Sequence, residues 1–185
     1  MAERKVIPLD KGWEFKQADD PQAPFRSVAQ FPTNVHLDLM HHGLIPDPFI
    51  GKNETEVQWV GEKAWVYRTS FSSPESLQDG QKAVLAFDGL DTFATVLLNN
   101  EKILTTDNMF IPERVDITSL LQKGSGANEN VLEITFDSAF LTGRKIKEQH
   151  PHHPWGCWNG DDSRLAVRKA QYHYVSTNHS YTVRL

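Results

Sequence analysis

Apolar residues recur at every second position along most of this chain, the spacing of strands with a buried face. Trp65, Tyr67, Thr69 and Phe71 fall on one face of such a strand, and Val66, Arg68 and Ser70 on the other. Ala83 to Phe87 is an unbroken apolar run and predicts a strand covered on both sides. Thr92 to Leu98 follows, β-branched and apolar on both faces. Asn99-Asn100 then turns the chain toward Ile103-Leu104, because Asn tolerates the left-handed backbone of a tight hairpin. Leu132, Ile134 and Phe136 line a further strand, and shorter ones are predicted at Trp13 to Phe15, Glu113 to Ile117 and Leu165 to Lys169.

Helices are few. Thr33 or Asn34 can cap a helix over Val35 to His41, with Gly43 as its stop and Pro46 beyond. Ser138 can cap a second to about Gln149, weakened by Gly143. Thr118 to Leu121 suits a single turn, and the stretch Gly124 to Asn128 a surface loop. Many short strands with few helices predict an all-β fold, an antiparallel sandwich or jelly roll. No internal repeat is present.

Composition narrows the function classes. The chain has 185 residues, which suits one domain with a sizeable core. Its net charge of −5 argues against a phosphate-binding surface and so against a nucleic-acid partner. A lone Cys157 excludes an internal disulfide. The charged start leads into no apolar run of a leader, and no run approaches a membrane span, so a cytoplasmic protein without a membrane partner is expected. The sequons at Asn53 and Asn178 are then chance matches.

Common catalytic signatures are absent: no nucleophile elbow, zinc helix or phosphate-cradling loop. The cluster His150-Pro151-His152-His153-Pro154, with Cys157 nearby, carries metal-binding side chains. Its spacing matches no zinc pattern, and it is read as an exposed loop without metal. Asp161 and Asp162 are adjacent, so on extended chain they point to opposite faces rather than forming an acid/base pair. Trp155 and Trp158, flanked by Gly, Asn and Asp, admit two readings. They can stack on the apolar faces of sugars, or pack within the protein with their N–H groups satisfied locally.

Several long motifs, in order, resemble one family. Asp88-Gly89-Leu90-Asp91-Thr92-Phe93-Ala94-Thr95-Val96-Leu97-Leu98-Asn99 is similar to the N-terminal jelly-roll (galactose-binding-like) domain of glycoside hydrolase family 2. Val35-His36-Leu37-Asp38-Leu39, the stretch Gly43 to Phe49, Asn53-Glu54, Asp107-Asn108-Met109-Phe110 and Trp158 to Arg164 narrow the resemblance to β-mannosidases of the intracellular fungal type. So does the run from Arg168 to Tyr174.

The resemblance implies retaining hydrolysis of terminal non-reducing β-D-mannose residues by the whole enzyme. Retention needs two carboxyl groups about 5 to 5.5 Å apart. In the family both are glutamates on a later (β/α)₈ barrel of about 250 residues. Only 185 − 174 = 11 residues follow Tyr174 here, so no catalytic residue is assigned, no cofactor is implied, and the chain alone is expected to be inactive. The implied partner is that barrel domain, with manno-oligosaccharide the candidate ligand. Trp158, Asp162 and Tyr174 are the candidate substrate-binding residues, because they lie beside the segment that approaches the family's active site.

Residues 1–174 are therefore read as a jelly-roll domain and 175–185 as a divergent tail. In the family, Gly-Trp-Asp-Trp-Gly-Pro and a final strand follow the position of Tyr174, so this domain is expected to lack its last strand. Val175-Ser176 is what the common splice-donor sequences GTAAGT and GTGAGT encode, so one hypothesis for the tail is intron read-through. Genomic DNA with no Gly-Trp-Asp-Trp exon shortly downstream refutes it. An open ladder and an uncovered docking face would make the isolated chain marginally stable or poorly soluble. Two further function readings stay open: a free-standing carbohydrate-binding module, and a truncated product without function.

Overall fold

The computed structural model describes residues 5–74, 77, 80–122, 129–152 and 183–184. Two antiparallel sheets face one another. The larger has the order β2-β1-β3-β8-β5-β6 and the smaller β7-β4-β9. Their strands are β1 (Glu14–Gln17), β2 (Arg26–Ser27), β3 (Trp65–Phe71), β4 (Val84–Phe87), β5 (Ala94–Leu98), β6 (Glu101–Thr106), β7 (Glu113–Asp116), β8 (Asn130–Phe136) and β9 (Val183–Arg184). The expected all-β galactose-binding-like sandwich with a few short helices is what the chain forms.

Alternation sets the faces. In β3, Trp65, Tyr67, Thr69 and Phe71 are buried while Ser70 is exposed. Val66, on the outer face by register, is also buried. The register Val66↔Thr135↔Thr95↔Thr105 makes an outer row across four strands. The inner faces supply Phe15, Val96, Leu98, Leu132 and Ile134 from the large sheet, against Leu85, Phe87 and Ile117 from the smaller sheet and its flank. All of these are almost wholly withdrawn from water. Burying each such side chain contributes about 1.5–3 kcal/mol, before conformational entropy is subtracted.

The hairpin forms where expected. Asn99 and Asn100 have φ of 52° and 68°, both left-handed, and join β5 to β6 in two residues. The strand begins at Ala94 rather than Thr92; Ala94, Val96 and Leu98 alternate inward without a break, and the register shift opposite Val96 and Leu97 leaves Ile103 of β6 as the extra residue. The first strand is likewise displaced, to 14–17, because it is placed by pairing with both β2 and β3.

Helix α1 (Val35–His41) starts at Asn34, whose side chain accepts the Leu37 N–H at 3.1 Å; Thr33 does not fill that role. Gly43, at φ +65°, ends it. Ser138 caps α3 (Ala139–Gln149) by accepting the Leu141 N–H at 3.0 Å. Sequence periodicity gave no sign of α2 (Asn53–Glu56) or the 3₁₀ turn Gln58–Glu62, which are too short for an apolar repeat. The turn foreseen after Thr118 is one of backbone bonds from Leu120 and Leu121 to the Ile117 carbonyl.

β9 comes from the tail, which has no counterpart in the resemblance. It pairs with β4 only at Ala86↔Arg184 and Phe87↔Val183, so Val84 and Leu85 have no ladder partner on that side among the described residues. The predicted loop at 124–128 and strand at 165–169 lie outside the described residues.

Candidate functional site

Trp158, Asp162 and Tyr174 also lie outside the described residues, as do Trp155, Cys157 and the Asp161-Asp162 pair. The histidine tract is described only to His152. Its first member closes α3: the His150 N–H donates to the carbonyls of Ile146 and Lys147, each at 3.1 Å. Among the described residues no group of three or more His, Cys, Asp or Glu side chains is placed to hold a metal.

The motifs within the described residues build joints. In α1, Asp38 is wholly buried, and three donors surround its carboxylate. The Tyr67 hydroxyl donates to one oxygen at 2.9 Å, the Ala29 N–H to the other at 3.3 Å, and the Thr33 hydroxyl also reaches it. Burial pushes the Asp38 carboxyl above the ordinary carboxylate range, although these donors and nearby His42 pull it down. The group ties α1 to the centre of β3, and its hydrogen bonds are all made within the protein.

Asp88 to Asn99 forms a second joint. The Arg114 guanidinium donates to the carbonyls of Phe87 and Glu113 at 3.0 and 2.8 Å, and to the Asp88 carboxylate at 3.3 Å. Gly89 lies so close to the Met109 carbonyl that a Cβ would sit 2.5 Å from its oxygen, so no larger residue fits there without displacing backbone. At the far end of the motif, the Asn99 amide donates to Leu120 O and Asn130 Oδ1, each at 3.0 Å, and its oxygen accepts the Val131 N–H at 2.9 Å.

Two shallow clefts are present among the described residues. One of about 270 Å³ is lined by Asp19, Glu62, Asp137, Ser138, Thr142 and Lys145 among others, and one of about 190 Å³ lies beside Trp13 and Phe31. Both are smaller than the concave, mostly apolar pockets that enclose small ligands. Trp13 and Trp65 are buried and donate their indole N–H groups to Leu9 O and Val60 O at 2.8 and 3.1 Å. These two tryptophans pack; neither presents a face for a sugar.

A surface feature escaped the sequence reading. Asp47-Pro48-Phe49-Ile50 and Asn108-Met109-Phe110-Ile111 adopt the same turn. In each, the Asx side-chain oxygen accepts the Phe N–H at 2.9 Å, and the Asx carbonyl accepts the Ile N–H, at 3.2 and 3.4 Å respectively. Each turn holds a Phe-Ile pair out from the surface. Exposures are 95% and 63% for Phe49 and Ile50, and 50% and 51% for Phe110 and Ile111. Its sequence sign is an Asx two residues before a Phe-Ile pair, outside any strand or helix period.

The fold and these joints define a galactose-binding-like β-sandwich. The family described as "Glycosyl hydrolase 2 galactose-binding domain-like" matches residues 13–176, and the chain belongs to that family. It is 67% identical over 174 residues to "Beta-mannosidase B" of Thermothelomyces thermophilus, covering 94% of this chain and 20% of that protein. A "Beta-mannosidase B" of Emericella nidulans is 49% identical over 168 residues, covering 90% and 19%. Among solved structures, "Beta-D-Mannosidase from Dictyoglomus thermophilum" superposes with a TM-score of 0.76 at 35% identity, covering 98% of this chain and 22% of the other. The chain therefore spans about a fifth of the length of the curated relatives it matches.

Proposed function

We propose that this chain is the non-catalytic N-terminal domain of a retaining β-mannosidase, which in the whole enzyme braces a separate catalytic domain against which it packs. The observation that carries this reading is 67% identity to a β-mannosidase over 94% of this chain, which amounts to only 20% of that relative. The joints support it physically. Asp38, Arg114 and Asn99 are engaged in holding the sandwich together, so these polar side chains serve rigidity, which suits a domain that positions another.

On this reading the substrate of the whole enzyme is a short manno-oligosaccharide with a terminal β-D-mannose, and the 185-residue chain hydrolyses nothing. Incubation of the purified chain with a chromogenic β-mannoside tests it, with no release above buffer expected. Turnover abolished by a point substitution within this chain would overturn it. Calorimetric titration with mannose and mannobiose separates this reading from a free-standing sugar-binding module, which alone would give saturable heat.

A further inference from the structure

The paired Phe-Ile turns point to a specific contact, and the inference rests on the reading of this chain as one domain of a β-mannosidase. Both turns belong to segments that enter or leave the large sheet at the same end. Residues 107–112 leave β6 after Thr106, and Thr106 pairs with Ala94, the first residue of β5, which in turn pairs with Phe136. Phe136 pairs with Trp65, the first residue of β3. The turn 47–50 is tied to α2 by the Asn53 amide, which donates to the Asp47 carbonyl at 2.9 Å. From there α2 and the 3₁₀ turn lead straight into Trp65.

Each turn is also anchored from below. Ile45 and Met109, close in sequence to the exposed pairs, are buried. The backbone is closed by two hydrogen bonds per turn, so little ordering entropy remains to be lost when the side chains are covered. Exposed aromatic and aliphatic side chains on a preorganised backbone are the anchors expected at the centre of a protein–protein contact. A sugar site would instead need polar groups converging beside the ring; here the Asx oxygens are already engaged by the turns' own N–H groups.

We infer that Phe49-Ile50 and Phe110-Ile111 are twin anchors that seat in apolar recesses of the catalytic portion of the β-mannosidase. The relatives supply that occupant: about four fifths of their length lies outside the part this chain matches, and the proposed function sets a catalytic domain from that part beside this one.

The test uses a full-length chimera, the Thermothelomyces thermophilus relative with its matched fifth replaced by residues 5–174 of this chain. Side chains are oxidised by hydroxyl radicals in the isolated chain and in the chimera. Oxidation of Phe49 and Phe110 is expected to be about tenfold slower in the chimera, as for groups moved from water into a packed interface core, with Val131 at the opposite end unchanged. Phe49→Asp and Phe110→Asp should lower the thermal midpoint of the chimera and leave that of the isolated chain unmoved.

Equal oxidation in both proteins overturns the contact. So does slow oxidation in the isolated chain that deepens with concentration, which would make these turns a surface between copies of this chain. An active chimera with unprotected pairs refutes the contact while the domain reading stands. A soluble chimera without β-mannosidase activity counts against the domain reading, and the oxidation rates still decide the contact.

Discussion

Asp38 shows what a buried carboxylate does in this molecule. Burial raises its pKa in the folded chain, against hydrogen bonds that favour the charged form. A carboxyl whose pKa is higher folded than unfolded binds more protons when folded. Its contribution is therefore most favourable below the ordinary carboxylate range and declines as pH rises through the folded value. Asp116 runs the other way. The Lys82 ammonium at 2.8 Å and the Thr118 hydroxyl hold it well below the carboxylate range, so its contribution is present above that range and disappears as pH falls. Asp38→Asn isolates the first effect, since it keeps an acceptor for one donor and removes the titration. Urea midpoints from pH 4 to 8 should show the wild type losing ground to Asp38→Asn as pH rises. A difference that stays constant with pH would mean that Asp38 does not titrate there.

At the scale of elements, caps and hairpins decide which local tendencies survive. Ser138 accepts the Leu141 N–H and donates its own hydroxyl proton to Gly61 O at 2.6 Å, so one side chain both starts α3 and pins it to the 3₁₀ turn before β3. Ser138→Ala should therefore cost about 1–2 kcal/mol, the upper part of the range for N-caps. Equilibrium denaturation measures it, and a loss below a few tenths would show the cap to be idle. Asn99 and Asn100 were readable as a turn because left-handed backbone restricts residue choice. The short α2 and the displaced start of β5 were not readable. The start of β5 is set by the ladder from Ala94 to Phe136, distant in sequence, while α2 is too short for an apolar repeat, has no buried residue and contacts the 3₁₀ turn that follows it.

For the whole molecule the exposed edges and anchors set the behaviour. Among the described residues β4 has a partner over only two residues on one side, and two Phe-Ile pairs stand in water. Both are association hazards for the chain in isolation. Light scattering during a thermal scan should show the isolated 185-residue chain aggregating as it unfolds. A reversible transition in a monodisperse monomer would contradict this. The full-length chimera, with the anchors covered, should be the better behaved of the two.

Period-two alternation in β3 and β8, a cap at Thr33 or Asn34, the Ser138 cap and the Asn99-Asn100 turn were legible in order of residues, because each depends on neighbours within a few positions. The family was legible for the same reason: its motifs are contiguous strings, such as Asp88 to Asn99, and residues 13–176 match it. Only the tertiary structure assigned those strings their work. That Asp38 meets Tyr67 and that Gly89 must stay small against Met109 are consequences of contacts across sequence separations no local pattern encodes; the turns at Asp47 and Asn108 are local, but only the folded chain leaves their Phe-Ile pairs in water. The sequence alone specified a galactose-binding-like sandwich of a β-mannosidase family. Burial and long-range hydrogen bonding decided which of its motif residues brace the core and which side chains are left for another surface to cover.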